Sequence, residues 1–456
     1  MGFLFELKMS IYFDIAYAAV NNRLCLITGA GFTKAITNQK APTWEDLLKE
    51  LCAKCDDTGE LEKKLFKSKI TGECPKCSKE HEFVVNKPIL ALDELAEIIA
   101  SKLKEKELDI YEEIKKIILP LTISDNCENI KKFFQEQSFR VVTTNYDKLI
   151  QELCGEGECQ TISPGVLIPR LRSKVKVYHV HGSIDSPNNM IVTSNNYFKF
   201  MNAESYFSRK LSTLLYENTI VILGYAFNDN NLKSIFNSYK EFSKSSMTSP
   251  NIILVTRRKI EKHIKDLYKN NFNMRVLDGV EIDGLFRKLN DYIPKAEECK
   301  ASSKRAIQRV MRNGSNRRYR KDYLRSSDSF FEIFNAMISS GYNFETKNAQ
   351  EKFLDIFEKK RILTTEDGAW GQYTALANWL TYFFTNIDIS KFHNKNSFME
   401  VVLHSFNTMS EELLLGYSWE AYSIWKQHWD DVLKENKLLI AEYLSERGVD
   451  APFYNV

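Results

Sequence analysis

The sequence predicts an α/β protein built on a doubly wound, mostly parallel sheet, followed by an all-α C-terminal domain. Three observations lead there. Leu24–Thr28 (LCLIT) and Thr219–Leu223 (TIVIL) are unbroken apolar runs, as strands buried on both faces are. Further strand runs at Arg140–Thr144, Lys174–Val180, Ile191–Thr193, Asn251–Thr256 and Met274–Leu277 alternate with helical patterns, the signature of a Rossmann-like sheet. After residue 296 the strand signals stop, and aromatic-rich helical patterns fill 328–446. The expected domains are 1–296 and 297–456.

A chain of 456 residues is too long for one ordinary core, which agrees with two domains. Apolar residues make up 43% and charged residues 27%, a soluble globular balance, and a net charge of +3 does not point to nucleic acid. No apolar run approaches the ~20 residues a membrane helix needs. The opening stretch lacks a basic n-region and a small-residue cleavage site, and Glu6 stands where a myristoylation signal wants Ser or Thr. Nine cysteines, an odd number, fit reduced thiols in a cytoplasm better than a disulfide scaffold.

Residues 9–22 read as a helix. The strand Leu24–Thr28 then runs into Gly29-Ala30-Gly31-Phe32 and a helical stretch, an arrangement that aims backbone N–H groups at phosphate. Lys34 stands where the full dinucleotide fingerprint has a third glycine, so an unliganded strand-to-helix turn is the competing reading. Thr43 is an expected N-cap, with Glu45 and Asp46 at the positive end of the helix and Trp44 a packing anchor. Cys52 and Cys55, then Cys74 and Cys77 after 18 residues, match a four-cysteine zinc pattern; four unrelated thiols are the alternative. Such a closed site would be structural.

Two amphipathic helices over 88–119 end at Pro120, and a helix over Asn129–Glu136 leads to the strand Arg140–Thr144. That strand delivers Thr144, Asn145 and Asp147, the strand Lys174–Val180 delivers His181, and Thr219–Leu223 delivers Gly224, Tyr225, Asn228 and Asp229. In doubly wound sheets ligands bind beyond the carboxyl ends of the strands, where all these residues fall. His179, two residues before His181, reads as a packed strand residue. Lys304–Arg325 holds nine Lys or Arg against one acid, Asp322, and reads as a solvated linker or helix face rather than a nucleic-acid surface. Trp370, Trp379, Trp419, Trp425 and Trp429 read as core or protein interface.

The ordered set LITGAGF, PTWEDLL, TTNYD, HGSID and LGYAFNDNNL resembles the sirtuin-like NAD-binding domain, most closely the branch found in bacterial antiphage defence proteins that hydrolyse NAD. The resemblance spans roughly 9–290. It implies that Gly29, Ala30, Gly31 and Phe32 line the pyrophosphate, and that Asn145, with Thr144 beside it, holds a water or the ribose near C1′. Asp147 would contact the nicotinamide carboxamide, and His181 would bond the ribose hydroxyls and act as general base. Gly224, Tyr225, Asn228 and Asp229 would sit by the adenosine half. Deacylating sirtuins carry a zinc module after the motif histidine; here the cysteine pairs precede Asn145, which argues against peptide chemistry.

Cleaving the bond to cationic nicotinamide needs no acid. It needs an oriented ribose and one placed nucleophile, so an amide and an imidazole suffice without paired carboxylates. The expectation is an NAD glycohydrolase acting in antiviral defence, with a homo-oligomer or a defence partner as its other contact. The alternatives are an NAD-dependent deacylase, a non-catalytic module binding NAD or ADP-ribose, and transfer of ADP-ribose to protein. Singly, Asn145 could instead cap the following helix, and His181 could be a hydrogen-bonded strand-end residue.

Overall fold

The structure is a computed structural model that describes residues 3–73, 80–155, 157–167, 173–202, 206–225, 252–272, 274–312, 324–325, 329–330, 333–334, 337, 343–412 and 416–449. The chain divides into two compact units, one formed by Met1–Phe236, Ile252–Lys265 and Val276–Tyr292, the other by Asn237–Asn251, Asp266–Arg275 and Ile293–Val456.

The first unit is organised on a seven-stranded sheet in the order β5-β6-β4-β1-β7-β8-β9. Its strands are β1 Leu24–Thr28, β4 Phe139–Thr143, β5 Cys159–Ile162, β6 Val175–His179, β7 Thr219–Leu223, β8 Ile252–Thr256 and β9 Met274–Asp278. β1 pairs in parallel with β4 and β7, and the β4–β6, β5–β6 and β7–β8 pairs are parallel too. β1 is buried along its whole length, which explains its unbroken apolar run. Helices follow the strands as crossovers require: α1 Phe3–Val20 precedes β1, α2 Ala30–Ile36 follows it, α7 Glu128–Glu136 precedes β4, and α8 Leu149–Cys154 follows β4. Packing on the sheet includes the Phe133, Phe134, Phe139 and Phe286 cluster, with ring centroids 5.0–5.7 Å apart.

The strands differ from expectation in one loss and three additions. Ile191–Thr193 is not a strand. The Ile191 N–H donates to the His181 carbonyl, and those of Val192 and Thr193 donate to the Asn196 side chain, so the segment's bonds go to a loop and a helix start. Conversely Cys159–Ile162, too short and polar to stand out, forms the edge strand β5, and Lys67–Glu73 with Glu80–Asn86 forms an antiparallel hairpin, β2 and β3.

Between α2 and α7 lies a helical layer: α3 Trp44–Cys55, α4 Glu60–Phe66, α5 Leu92–Glu105 and α6 Ile110–Ile118. Thr43 caps α3 in a capping box, accepting from the Asp46 N–H at 3.2 Å while Asp46 accepts from the Thr43 N–H at 3.1 Å. Cys52 and Cys55 point into the apolar core of this layer beside Leu48, Leu51, Ile99 and Leu103. The Cys55 thiol donates to the carbonyl of Leu51 at 3.3 Å, and burial pushes the Cys52 thiol up to about 12. Burial raises the Cys55 thiol as well. Cys74 and Cys77 lie outside the described residues, and among the described residues no group of three or more His, Cys, Asp or Glu could hold a metal. The structure therefore gives the expected four-cysteine zinc site no support.

The second unit contains the helices Lys347–Thr364, Gly371–Asn386, Lys395–Thr408, Tyr417–His428 and Lys434–Ser445. Its core is aromatic: Phe330, Phe334, Phe353, Phe357, Trp379, Phe383 and Trp425 are all buried. Buried in the same unit, the Lys360 ammonium donates to the Leu324 carbonyl and the Gln372 side chain and lies over the Trp379 face, 4.3 Å from its centroid. Trp370 departs from the core reading, being 59% exposed. Most of the basic stretch Lys304–Arg325 lies outside the residues whose side chains are described. No helix among the described residues is long and apolar enough to cross a membrane.

Candidate functional site

The order β6-β4-β1-β7 places the ends of four strands side by side. In sequence these ends lead to His181, Asn145, Gly29 and Gly224. Neighbouring strands in a sheet run about 4.8 Å apart, so residues scattered over nearly 200 positions become neighbours along one carboxyl edge. β1 and β7 flank the point where the winding reverses, the place where doubly wound sheets form a crevice.

The β1 turn is closely packed against the end of β7. The Gly29 N–H donates to Leu223 O at 3.1 Å, the Gly31 N–H to Gly224 O at 2.8 Å, and the Phe32 N–H to Gly29 O at 2.9 Å. A Cβ on Gly31 would stand 2.7 Å from the Gly224 carbonyl oxygen. Gly224 itself has φ +60, and a Cβ there would stand 2.0 Å from the Phe32 nitrogen. Glycine at 31 and 224 is therefore required by contact between two loops of the protein. The amides of Gly29 and Gly31, expected to face pyrophosphate, are already engaged. The Phe32 side chain is wholly buried and stacks on Phe134 at 6.2 Å, so it serves the core rather than a ligand. Ala30 opens α2. The Tyr225 ring stands close over Gly29, and Asn228 and Asp229 lie outside the described residues.

Asn145 is held from several sides. Its Nδ2 donates to Gly29 O at 2.9 Å and to Thr33 Oγ1 at 2.7 Å, and its backbone N–H donates to Thr143 Oγ1 at 3.1 Å. The carbonyl of Gly29 can only accept, which fixes the orientation of the amide. Both Nδ2 hydrogens are then committed, and among the described residues no hydrogen bond uses Oδ1. Asn145 thus offers an acceptor. Asn145 does not cap the following helix: the N-cap of α8 is Lys148, which makes no side-chain cap bond, and Asp147 Oδ1 accepts from the Leu149 N–H at 3.1 Å.

The other Asp147 oxygen accepts from the Thr33 hydroxyl at 2.7 Å. The carboxyl is buried, and desolvation raises its pKa above the usual carboxylate range, opposed by the Thr33 and Leu149 hydrogen bonds. Asp147 thus already serves as the anchor of a chain that runs Asn145, Thr33, Asp147. Thr33 gives no signal in the sequence, since an unremarkable helix threonine becomes a link only once α2 and the β4 end meet. Thr144, partly exposed, donates its N–H to Thr28 O at 3.3 Å and continues the β1–β4 ladder.

His181 is buried, its ring edge-on to Tyr197 with centroids 5.3 Å apart. Its loop is anchored through Gly182, at φ +86, where a Cβ would stand 2.7 Å from the Asn189 carbonyl. A further bond joins the two motif loops, the Ile184 N–H donating to Tyr146 O at 3.0 Å. Tyr146 packs edge-on against Trp44, 6.2 Å between centroids, and its hydroxyl donates to Ile191 O. The helical layer thereby braces the loops that carry Asn145 and His181.

The ends of the neighbouring strands β4 and β6 thus lead to an oriented Asn145 amide and to the buried His181, with the glycine turn after β1 alongside. No curated protein matches the chain. The family model described as the SIR2-like domain matches residues 140–277, a span from β4 to β9 that contains Asn145, His181 and Gly224, and this match supports a sirtuin-like domain over that stretch.

Proposed function

We propose that the protein hydrolyses NAD to nicotinamide and ADP-ribose at the edge carrying Asn145 and His181. SIR2-like domains use NAD, and Asn145 and His181 leave the ends of the neighbouring strands β4 and β6 within the matched stretch. The observation that carries the reading is the state of Asn145, with both amide hydrogens committed inside the protein and Oδ1 left as an acceptor.

NAD supplies a cationic leaving group, so no acid is required at the breaking bond. Asn145 Oδ1 accepts a hydrogen bond from a water or a ribose hydroxyl, and an amide does not itself compete as a nucleophile. His181 takes the proton that the water loses as its oxygen bonds to C1′; imidazole suits this near neutral pH. Asp147 and Thr33 hold the amide in place. The Gly29 and Gly31 amides, donating to Leu223 and Gly224, set the close approach of the two loops and are not free to bind phosphate.

The wider reading is a cytoplasmic antiphage effector that acts by NAD depletion. Residues 1–296 carry the chemistry and 297–456 serve assembly or partner binding, supported by the exposed aromatics Trp370 and Tyr417. Asn145→Ala and His181→Ala, assayed for nicotinamide release beside the parent, test the site. Each loses about 100-fold or more if it contributes as positioned acid–base groups do. Parent-like turnover in both variants overturns the assignment, and acyl-ADP-ribose from an acylated peptide would support deacylation instead.

A further inference from the structure

We infer that His179, through its Nδ1–H bond to the Asn145 carbonyl, is a positioning residue that sets the Asn145 amide for the reaction. This rests on the site reading above. His179 ends β6 opposite Thr143 of β4, is fully buried, and stands two residues before His181. Its Nδ1 lies 3.0 Å from the Asn145 carbonyl oxygen, and its Nε2 lies 2.7 Å from Nε2 of Gln151.

The tautomer follows from the partners on each side. A carbonyl only accepts, so Nδ1 carries the proton. Nε2 then accepts, and Gln151 must present its NH2. Gln151 does so, sharing that NH2 with Thr161 Oγ1 at 3.2 Å on β5, while its Oε1, buried, has no partner among the described residues. Leaving a buried carbonyl oxygen unbonded is costly, and the amide keeps this orientation because His179 Nε2 needs a donor, while the Thr161 hydroxyl can accept as well as donate. Burial pushes the imidazole down to about 4, which keeps this neutral form at physiological pH.

The remaining bonds to Asn145 come from β1, α2 and β4. The His179 bond is the one that reaches the Asn145 peptide from β6, the strand that also delivers His181. It therefore ties the two reacting side chains into one frame, and a displacement near 1 Å at such a frame can cost about 100-fold in rate.

The test compares full-length parent, Asn145→Ala, His179→Leu, His179→Asn and Gln151→Leu, each checked for folding by thermal melt. The side-chain amide of Asn in His179→Asn reaches the position of Nδ1. Turnover of NAD should fall about 100-fold in kcat for His179→Leu with KM changed less than about threefold, and His179→Asn should recover most of it. Gln151→Leu, which frees the ring without removing the donor, should lose about 10-fold. If Asn145→Ala is inactive while His179→Leu keeps the parent's kcat, or if His179→Asn is no better than His179→Leu, the positioning role is overturned and the site reading stands. If Asn145→Ala turns over NAD like the parent, the site reading itself has failed. Nitrogen-15 histidine spectra of the parent, with His179 assigned through His179→Asn, provide a readout free of turnover and of the Leu variant's folding. A protonated Nδ1 with a bare Nε2 is expected, and the reverse tautomer overturns the inference even where the parent is silent on NAD.

Discussion

His179 makes a statement about stability as well as position. Its folded pKa, about 4, lies below the ordinary 6.5, so the unfolded chain takes up a proton that the folded chain refuses. The stabilisation from its neutral form is complete above pH 6.5 and is lost as pH falls toward 4. By linkage the folded state should lose about 3 kcal/mol between pH 7 and pH 4 from this group. Asp147 acts in the opposite sense, since its raised pKa makes protonation favourable to the fold on acidification. Comparing denaturant unfolding of the parent and His179→Asn across that range isolates the histidine. A parent curve no steeper than the variant's would refute the claim. At residue scale Gly224 is the other sensitive position. Gly224→Ala combines a positive φ with a Cβ 2.0 Å from the Phe32 nitrogen, and should destabilise by about 2 kcal/mol or more in urea melts.

At the scale of elements, the strands were legible because burial on both faces writes an apolar run, as in β1 and β7. β5 escaped because an edge strand of four residues with a Cys and a Gln needs no such run. Ile191–Thr193 looked like a strand because three apolar or β-branched residues suit one, yet its N–H groups found a side chain and a loop carbonyl nearer than any strand. The cysteine spacing of α3 mimics a metal ligand pattern for a simple reason: positions three apart on a helix share a face, and here that face is the core. The prediction belongs to this layer. Cys52 and Cys55 should resist a thiol reagent in the native protein and react on unfolding, and chelation should leave the melting temperature unchanged. A fall of several degrees on chelation would restore a structural metal.

For the whole molecule, the two compact units divide the question of function. The chemistry argued above concerns the sheet edge, and ligand linkage gives a test that needs no turnover. NAD at 100 times its dissociation constant should stabilise the protein by about 2.7 kcal/mol, read as a higher melting temperature. Asn145→Ala should weaken that shift, while Trp370→Ala, an exposed position of the helical unit, should leave it intact. An equal shift in parent and Asn145→Ala would move the NAD site away from this edge.

The sequence by itself determined the fold class and which residues leave the strand ends, because hydrophobic periodicity and motif order are local properties of a chain. Only the tertiary structure decided what those residues are free to do. Hydrogen bonds between positions more than a hundred apart, Asn145 to Gly29 and Thr33 to Asp147, commit the amide hydrogens, leave one oxygen as acceptor, and turn glycines expected to hold phosphate into the seam between two loops. Which donor meets which acceptor is a property of the packed sheet, and no spacing along the chain records it.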